Sequence, residues 1–110
     1  MKDDRVYLKH ILRCIARIEE YTAQGSLFSS HLIQDAVIRN LQTLSESTQR
    51  LSSSAKARRP DIDWSAIAGF RNVLVHDYLG IDMKYVSRAV SSDIPGLKAA
   101  CEDLLTRLGG

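Results

Sequence analysis

Within eight residues the chain carries Arg71, Asn72, His76, Asp77 and Tyr78 around an apolar Val73-Leu74-Val75 segment. An arginine is always cationic, and its planar fork can hold two oxygens of one phosphate. A histidine titrates near neutrality and can take or give a proton. Together they are the two groups that cleavage of a phosphodiester most needs. With RNA as substrate and no metal, the ribose 2′-hydroxyl would attack the phosphate. His76 would act as base or acid, and Arg71 would stabilise the charge on the phosphorane. Asn72 could orient His76 or contact the substrate, and Asp77 could tune His76.

Spacing constrains how these groups can meet. Arg71 and His76 are five residues apart, so on a straight helix they differ by roughly 140° of rotation and ~7.5 Å of rise. One helix cannot aim both at one phosphate. Asn72 and His76, at i and i+4, do share a face. Either the helix unwinds near His76, before Gly80, or a second copy of the chain completes the site across a two-fold axis. The small size of the chain and the glycine at 69 favour a homodimer.

The elements that must position these residues read as helices. Asp3 or Asp4 can cap a first helix, whose stripe is Leu8, Ile11, Leu12, Ile15 and Ile18 and whose end lies near Gly25. Ser29 or Ser30 can cap a second, with Leu32 or Ile33, Ala36, Val37, Asn40, Leu41, Leu44 and Leu51 in its stripe, extending to about Ser54. Polar Asn40 and Glu46 interrupt that apolar side, and with Arg39 they are read as candidate neighbours of the central stretch. Residues 52–60, rich in serine and basic side chains, read as a mobile, exposed connection. Asp61 or Asp63 can cap a third helix with Trp64 in its first turn and Gly80 at its end, and Gly69 in it suggests close approach of another backbone. Asp82 opens a short fourth helix, and Asp93-Ile94-Pro95 the last. No strand alternation, repeat or Gly-rich phosphate loop is present. The expected architecture is a single all-α domain over residues 1–110, a bundle of about five helices, four main and one short.

Composition agrees. The chain has 110 residues, a quarter of them charged, and a formal net charge of +2. So small a charge does not announce a nucleic-acid binder, although clustering counts for more than the sum. Cys14 and Cys101 stand alone on apolar faces and read as buried thiols in a reducing compartment. His10 and His31 read as solvated surface residues. These scattered groups make no metal-ligand set, and no cofactor motif is visible. No leader and no run near the ~20 apolar residues of a membrane span is seen, so a cytoplasmic protein is expected.

At this point a family resemblance enters. Arg71-Asn72-x-x-x-His76-x-Tyr78 resembles the Arg-x-x-x-x-His-x-Tyr signature of the HepT branch of HEPN-domain toxins. Ala36-Val37-Ile38-Arg39-Asn40-Leu41, then Glu46, then Asp61-Ile62-Asp63-Trp64 through Asn72 are similar to the family's running pattern, as are Gly80-Ile81-Asp82 and Ile94-Pro95-x-Leu97. Ser45 and Ser47 flank Glu46 where the family usually has Gly and Ala, which suggests altered packing there. The resemblance implies an all-helical, dimeric, metal-independent endoribonuclease, the toxin of a type VII-like toxin–antitoxin pair. It implies a nucleotidyltransferase antitoxin of the MntA type as partner, which transfers AMP to the motif tyrosine, here Tyr78. A charged adduct beside a site built for an anion would repel RNA. The competing reading is a non-catalytic helical subunit that binds substrate for, or scaffolds, a nucleotidyltransferase.

Overall fold

The computed structural model describes the backbone of residues 3–76 and 83–109, and the side chains of all of these except 71–76. The described residues form an all-α bundle without strands. Helix α1 spans Asp4–Gln24 and starts where the Asp3 carboxylate accepts the Arg5 amide at 2.9 Å. Its Leu8, Ile11, Cys14, Ile15 and Ile18 are buried. Helix α2, His31–Arg50, is capped by Ser30, whose hydroxyl accepts the Ile33 amide. At the α1 end, Gly25 has an extended backbone, and a Cβ there would press on Ile33 Cδ1 at 2.9 Å. That atom is the far end of a flexible side chain that can turn aside, so neither this contact nor the dihedral demands a glycine.

Helix α2 packs antiparallel on α1, as His10–Ser47 and Asp4–Ser52 hydrogen bonds show. It stops at Arg50, short of the expected end, because Leu51 turns to an extended conformation and buries its side chain. The stretch after it is not a loose strap. Ser52 caps a short helix, α3 (Ser53–Ala57), and both its amide and its hydroxyl donate to the Asp4 carboxylate, at 2.8 and 2.6 Å. The Trp64 indole donates to the carbonyls of Lys56 and Arg59. Arg59 bridges Asp61 and Asp103, fastening this connection to the last helix. Two contacts distant in sequence, to Asp4 and Asp103, and one nearby, to Trp64, therefore order a segment whose composition alone suggests mobility.

Helix α4, Trp64–His76, begins where Asp63 accepts the Ala66 amide at 3.0 Å. It packs against α2 with Ile67 and Phe70 buried. Phe70 meets Tyr85 edge to face, with ring centroids 6.1 Å apart. Helix α5 (Met83–Arg88) and helix α6 (Ile94–Arg107) were expected as separate helices, with Asp93 at the opening of the second. Instead a π-helical turn, Ala89–Asp93, joins them, and the Asp93 side chain makes no cap. Pro95 has no amide to donate into the preceding turn, and a widened turn accommodates that loss. Helix α6 packs on α1 through Leu97, Cys101 and Leu104, with Lys98 paired to Glu19 across the surface.

The core also holds polar groups on α2. Ser45, Ser47 and Thr48 are buried. Ser45 and Thr48 donate back to the carbonyls of Gln42 and Ser45. Ser47 meets His10 Nδ1 at 2.6 Å. His10 is thus half-buried between helices, not solvated, and its Nε2 faces Cys14 Sγ at 3.9 Å. The serines that depart from the family pattern account for this packing. Replacing Ser47→Ala should remove one partly buried hydrogen bond and cost about 1 kcal/mol. Urea unfolding would show a lower midpoint with an unchanged slope; an unmoved midpoint would mean that the bond contributes nothing.

Candidate active site

The candidate residues sit in the second half of α4, whose backbone remains helical through His76. The helix does not unwind before the histidine. Helical register therefore keeps the Arg71 and His76 positions roughly 140° and ~7.5 Å apart. Arg71 stands four residues after buried Ile67, adjoining the side that α4 turns toward the core. Asn72 and His76 occupy positions on another face, shared in register with Ser65 and Gly69. That face is built from small residues. Among the described residues, its own helix backbone and chain neighbours aside, nothing lies within 4 Å of where a Cβ on Gly69 would be, so the close backbone approach expected there is not made by them. Asp77, Tyr78, Gly80 and Asp82 lie outside the described residues.

Helix α2 supplies the other candidates, and it divides them. Arg39 and Glu46 are exposed and seven residues apart, on one face. Asn40 is on the buried side, 8% exposed, and its Nδ2 donates to the Ala36 carbonyl at 2.8 Å. Its need for a partner is thus met inside its own helix. The three do not converge on one point.

Other groups are arranged against reactivity. Burial pushes the Cys101 thiol up to about 12 and raises Cys14 as well, so both stay protonated at neutral pH. Among the described residues no group of three or more His, Cys, Asp or Glu could hold a metal ion. A surface cleft of about 220 Å³ lies between the start of α4 and the π turn, lined by Asp61, Asp63 and Asp93. The Arg59 guanidinium holds the Asp61 carboxyl below its ordinary range, so it remains ionised. The cleft has the wrong sign for a phosphate chain. The half-buried His10–Ser47 pair was missed by sequence reasoning. The i, i+4 spacing of His10 and Cys14, one of them on the apolar stripe, was the only local signal for it.

The fold is that of a small helical bundle with an Arg-x-x-x-x-His motif on one of its packed helices. The profile of the family described as "Ribonuclease HepT-like" matches residues 11–104. The chain belongs to the HepT-like family of HEPN ribonucleases. A Thermococcus cleftensis protein named "Probable ribonuclease HepT" is 34% identical over 101 residues, which are 89% of this chain and 92% of that protein. A Methanocaldococcus jannaschii protein named "Gamma-glutamylcyclotransferase and putative RNase" is 37% identical over 100 residues, 88% of this chain but only 45% of that longer protein. A Caldanaerobacter subterraneus protein named "Putative RNase" is 28% identical over 112 residues, 97% of this chain and 98% of that protein. No solved structure matches the chain. No helix among the described residues is long and apolar enough to cross a membrane.

The open space at Gly69 yields a direct test. Alanine should fit there, and its better helix propensity should stabilise the fold by up to about 1 kcal/mol. Denaturant unfolding of Gly69→Ala in dilute solution would show the gain. A loss would mean that another surface already presses on this face.

Proposed function

We propose that the chain is a metal-independent endoribonuclease whose site is completed by two copies of α4. The observation that carries this reading is the helix itself: it remains regular through His76, with Asn72 and His76 in register with a small-residue face that the described residues leave uncovered at Gly69. A second copy related by a two-fold axis would bring its own Arg71 within reach of the first copy's His76. Membership of the family, and relatives named as ribonucleases, support RNA as substrate.

In this reading the ribose 2′-oxygen attacks the adjacent phosphorus while an imidazole accepts its proton. The bond to the 5′-oxygen of the next nucleotide breaks, and the same imidazole, now protonated, gives that oxygen a proton. The products are a 2′,3′-cyclic phosphate and a free 5′-hydroxyl. Arg71 neutralises the charge gathering on the non-bridging oxygens, and Asn72, one turn before His76, orients the imidazole. Arg39, Glu46 and Asp77 are supporting groups.

Purified protein should cleave RNA in the presence of EDTA. Arg71→Ala should lose ~10²–10³ in rate, and His76→Ala ~10²–10⁴. Mixing the two inactive variants separates the geometries. If each site takes arginine from one copy and histidine from the other, heterodimers regain one intact site, and activity should return to about a quarter of wild type. A mixture that stays dead would sink the composite site. Equal cleavage by wild type and both variants would end the nuclease reading and leave a helical adaptor.

Tyr78, two residues beyond His76, is the proposed point of control, receiving AMP from a nucleotidyltransferase antitoxin of the MntA type in a type VII-like toxin–antitoxin pair. The tyrosine oxygen would attack the α-phosphorus of ATP and release pyrophosphate. Intact mass after co-expression with such an enzyme should show added multiples of AMP, absent in Tyr78→Phe, with RNA cleavage lost in step. An unmodified chain that is nonetheless silenced would assign inhibition to binding alone.

A further inference from the structure

Helix α1 carries a row of cations at every fourth position: Arg5, Lys9, Arg13 and Arg17, with Tyr21 next in the same row. A step of four residues advances about 6 Å along a helix and turns by only ~40°, so the row forms one ridge. All four cations are exposed, Tyr21 is half-buried, and the core-facing Leu8, Ile11, Ile15 and Ile18 point elsewhere. Arg5 is tied to Asp3. Lys9, Arg13 and Arg17 take part in no salt bridge among the described residues. The cations near α6 behave differently: Lys98 pairs with Glu19, Arg59 with Asp61 and Asp103, and Arg107 with Asp103. Like charges at i, i+4 repel and cost helix stability, so folding alone does not call for this row.

We propose that the Lys9–Arg13–Arg17 ridge tracks the sugar–phosphate backbone of a single RNA strand. This rests on the ribonuclease reading for the identity of the polyanion, but it concerns a different helix from the one that would cut. Unpaired point charges repeated along a line match successive phosphates of an extended strand, and half-buried Tyr21 at the end of the row supplies an aromatic ring against which a base can stack. The antiparallel pairing of α1 and α2 puts exposed Arg39 at about the level of Arg17. A protein partner fits less well. Interfaces between proteins are built around an apolar centre, and Val6 is the only large exposed apolar residue of α1.

The test uses the full chain and the triple variant Lys9→Gln, Arg13→Gln, Arg17→Gln. Binding of a labelled 2′-O-methyl RNA, which cannot be cut by 2′-hydroxyl attack, is read by fluorescence anisotropy between 50 and 200 mM salt. Three phosphate contacts on a single strand contribute about 2 to the log–log salt slope, so wild type should lose about twentyfold more affinity across that range than the variant. The variant should bind at least ~10-fold more weakly at 50 mM salt, with an unchanged circular dichroism spectrum and a melting temperature no lower than that of wild type. The double variant Lys98→Gln, Arg107→Gln should bind as wild type does. Equal affinity and slope in wild type and triple variant would overturn the proposal, as would a wild type that binds no RNA. Poly-glutamate competing as well as RNA per charge would overturn it in favour of an acidic protein. Ridge-dependent binding without cleavage of unmodified RNA would retire the ribonuclease reading and leave the ridge standing. Undiminished cleavage by a triple variant that binds normally would do the reverse.

Discussion

A helix turns through a fixed angle at each residue, and two positions five apart on it face different directions. That constraint governs everything proposed for this chain, because α4 carries Arg71 and His76 at that separation and stays helical through both. The rest of the bundle holds α4 in one orientation. Ile67 and Phe70 are buried, Phe70 is braced by Tyr85, and the Asp63 cap fixes where the helix begins. With the core side of α4 thus assigned, the register of Asn72 and His76 relative to the core is assigned as well. Through His76 the described backbone shows no distortion that would bring the two positions together, and the proposal of a site drawn from two copies rests on that.

The polar residues inside the bundle act on register rather than on bulk stability. An α1–α2 seam made only of leucine and isoleucine could slide by a turn at modest cost. The 2.6 Å contact between His10 and Ser47 exists in one register alone, as do the Ser52 bonds to Asp4. Sliding would strand the part-buried His10–Ser47 pair without partners, and a buried polar group left unsatisfied costs more than the bond returns when made; the exposed Ser52–Asp4 bonds would pass to water. In the described part of the chain every buried side-chain nitrogen and oxygen has a partner, so the seam is specified as well as packed.

Which features were legible in the sequence follows from how far apart their causes lie. Caps at Asp3, Ser30 and Asp63 involve residues two or three apart, and all were open to local reading. The stripes of α1 and α6 repeat every three or four residues and were equally visible. The connection around residues 52–60 was misread because much of its order comes from Asp4 and Asp103, each more than forty residues from its partner there. His10 was misread for the same reason: its partner is 37 residues distant. At the candidate site, residue types and spacing were legible at once. Convergence was not, because nothing in one chain records how a second copy would dock.

Electrostatics divides the surface in a way that the net charge of +2 conceals. The cleft beside the π turn is acidic, with Asp61 kept ionised by Arg59. The α4 face that holds Ser65 and Gly69 is small and uncharged at those positions, and the α1 ridge is positive. A polyanion approaching such a molecule is repelled from the first region and drawn toward the last. Under the proposals made above, cutting and holding need not compete for the same few side chains. In the proposed site, one arginine and one histidine per copy would be too few to hold a strand and also stabilise its reaction. In a chain of this size, with α4 committed to the core on one side and to its small-residue face on another, a long charged helix elsewhere is the economical place for the remaining grip.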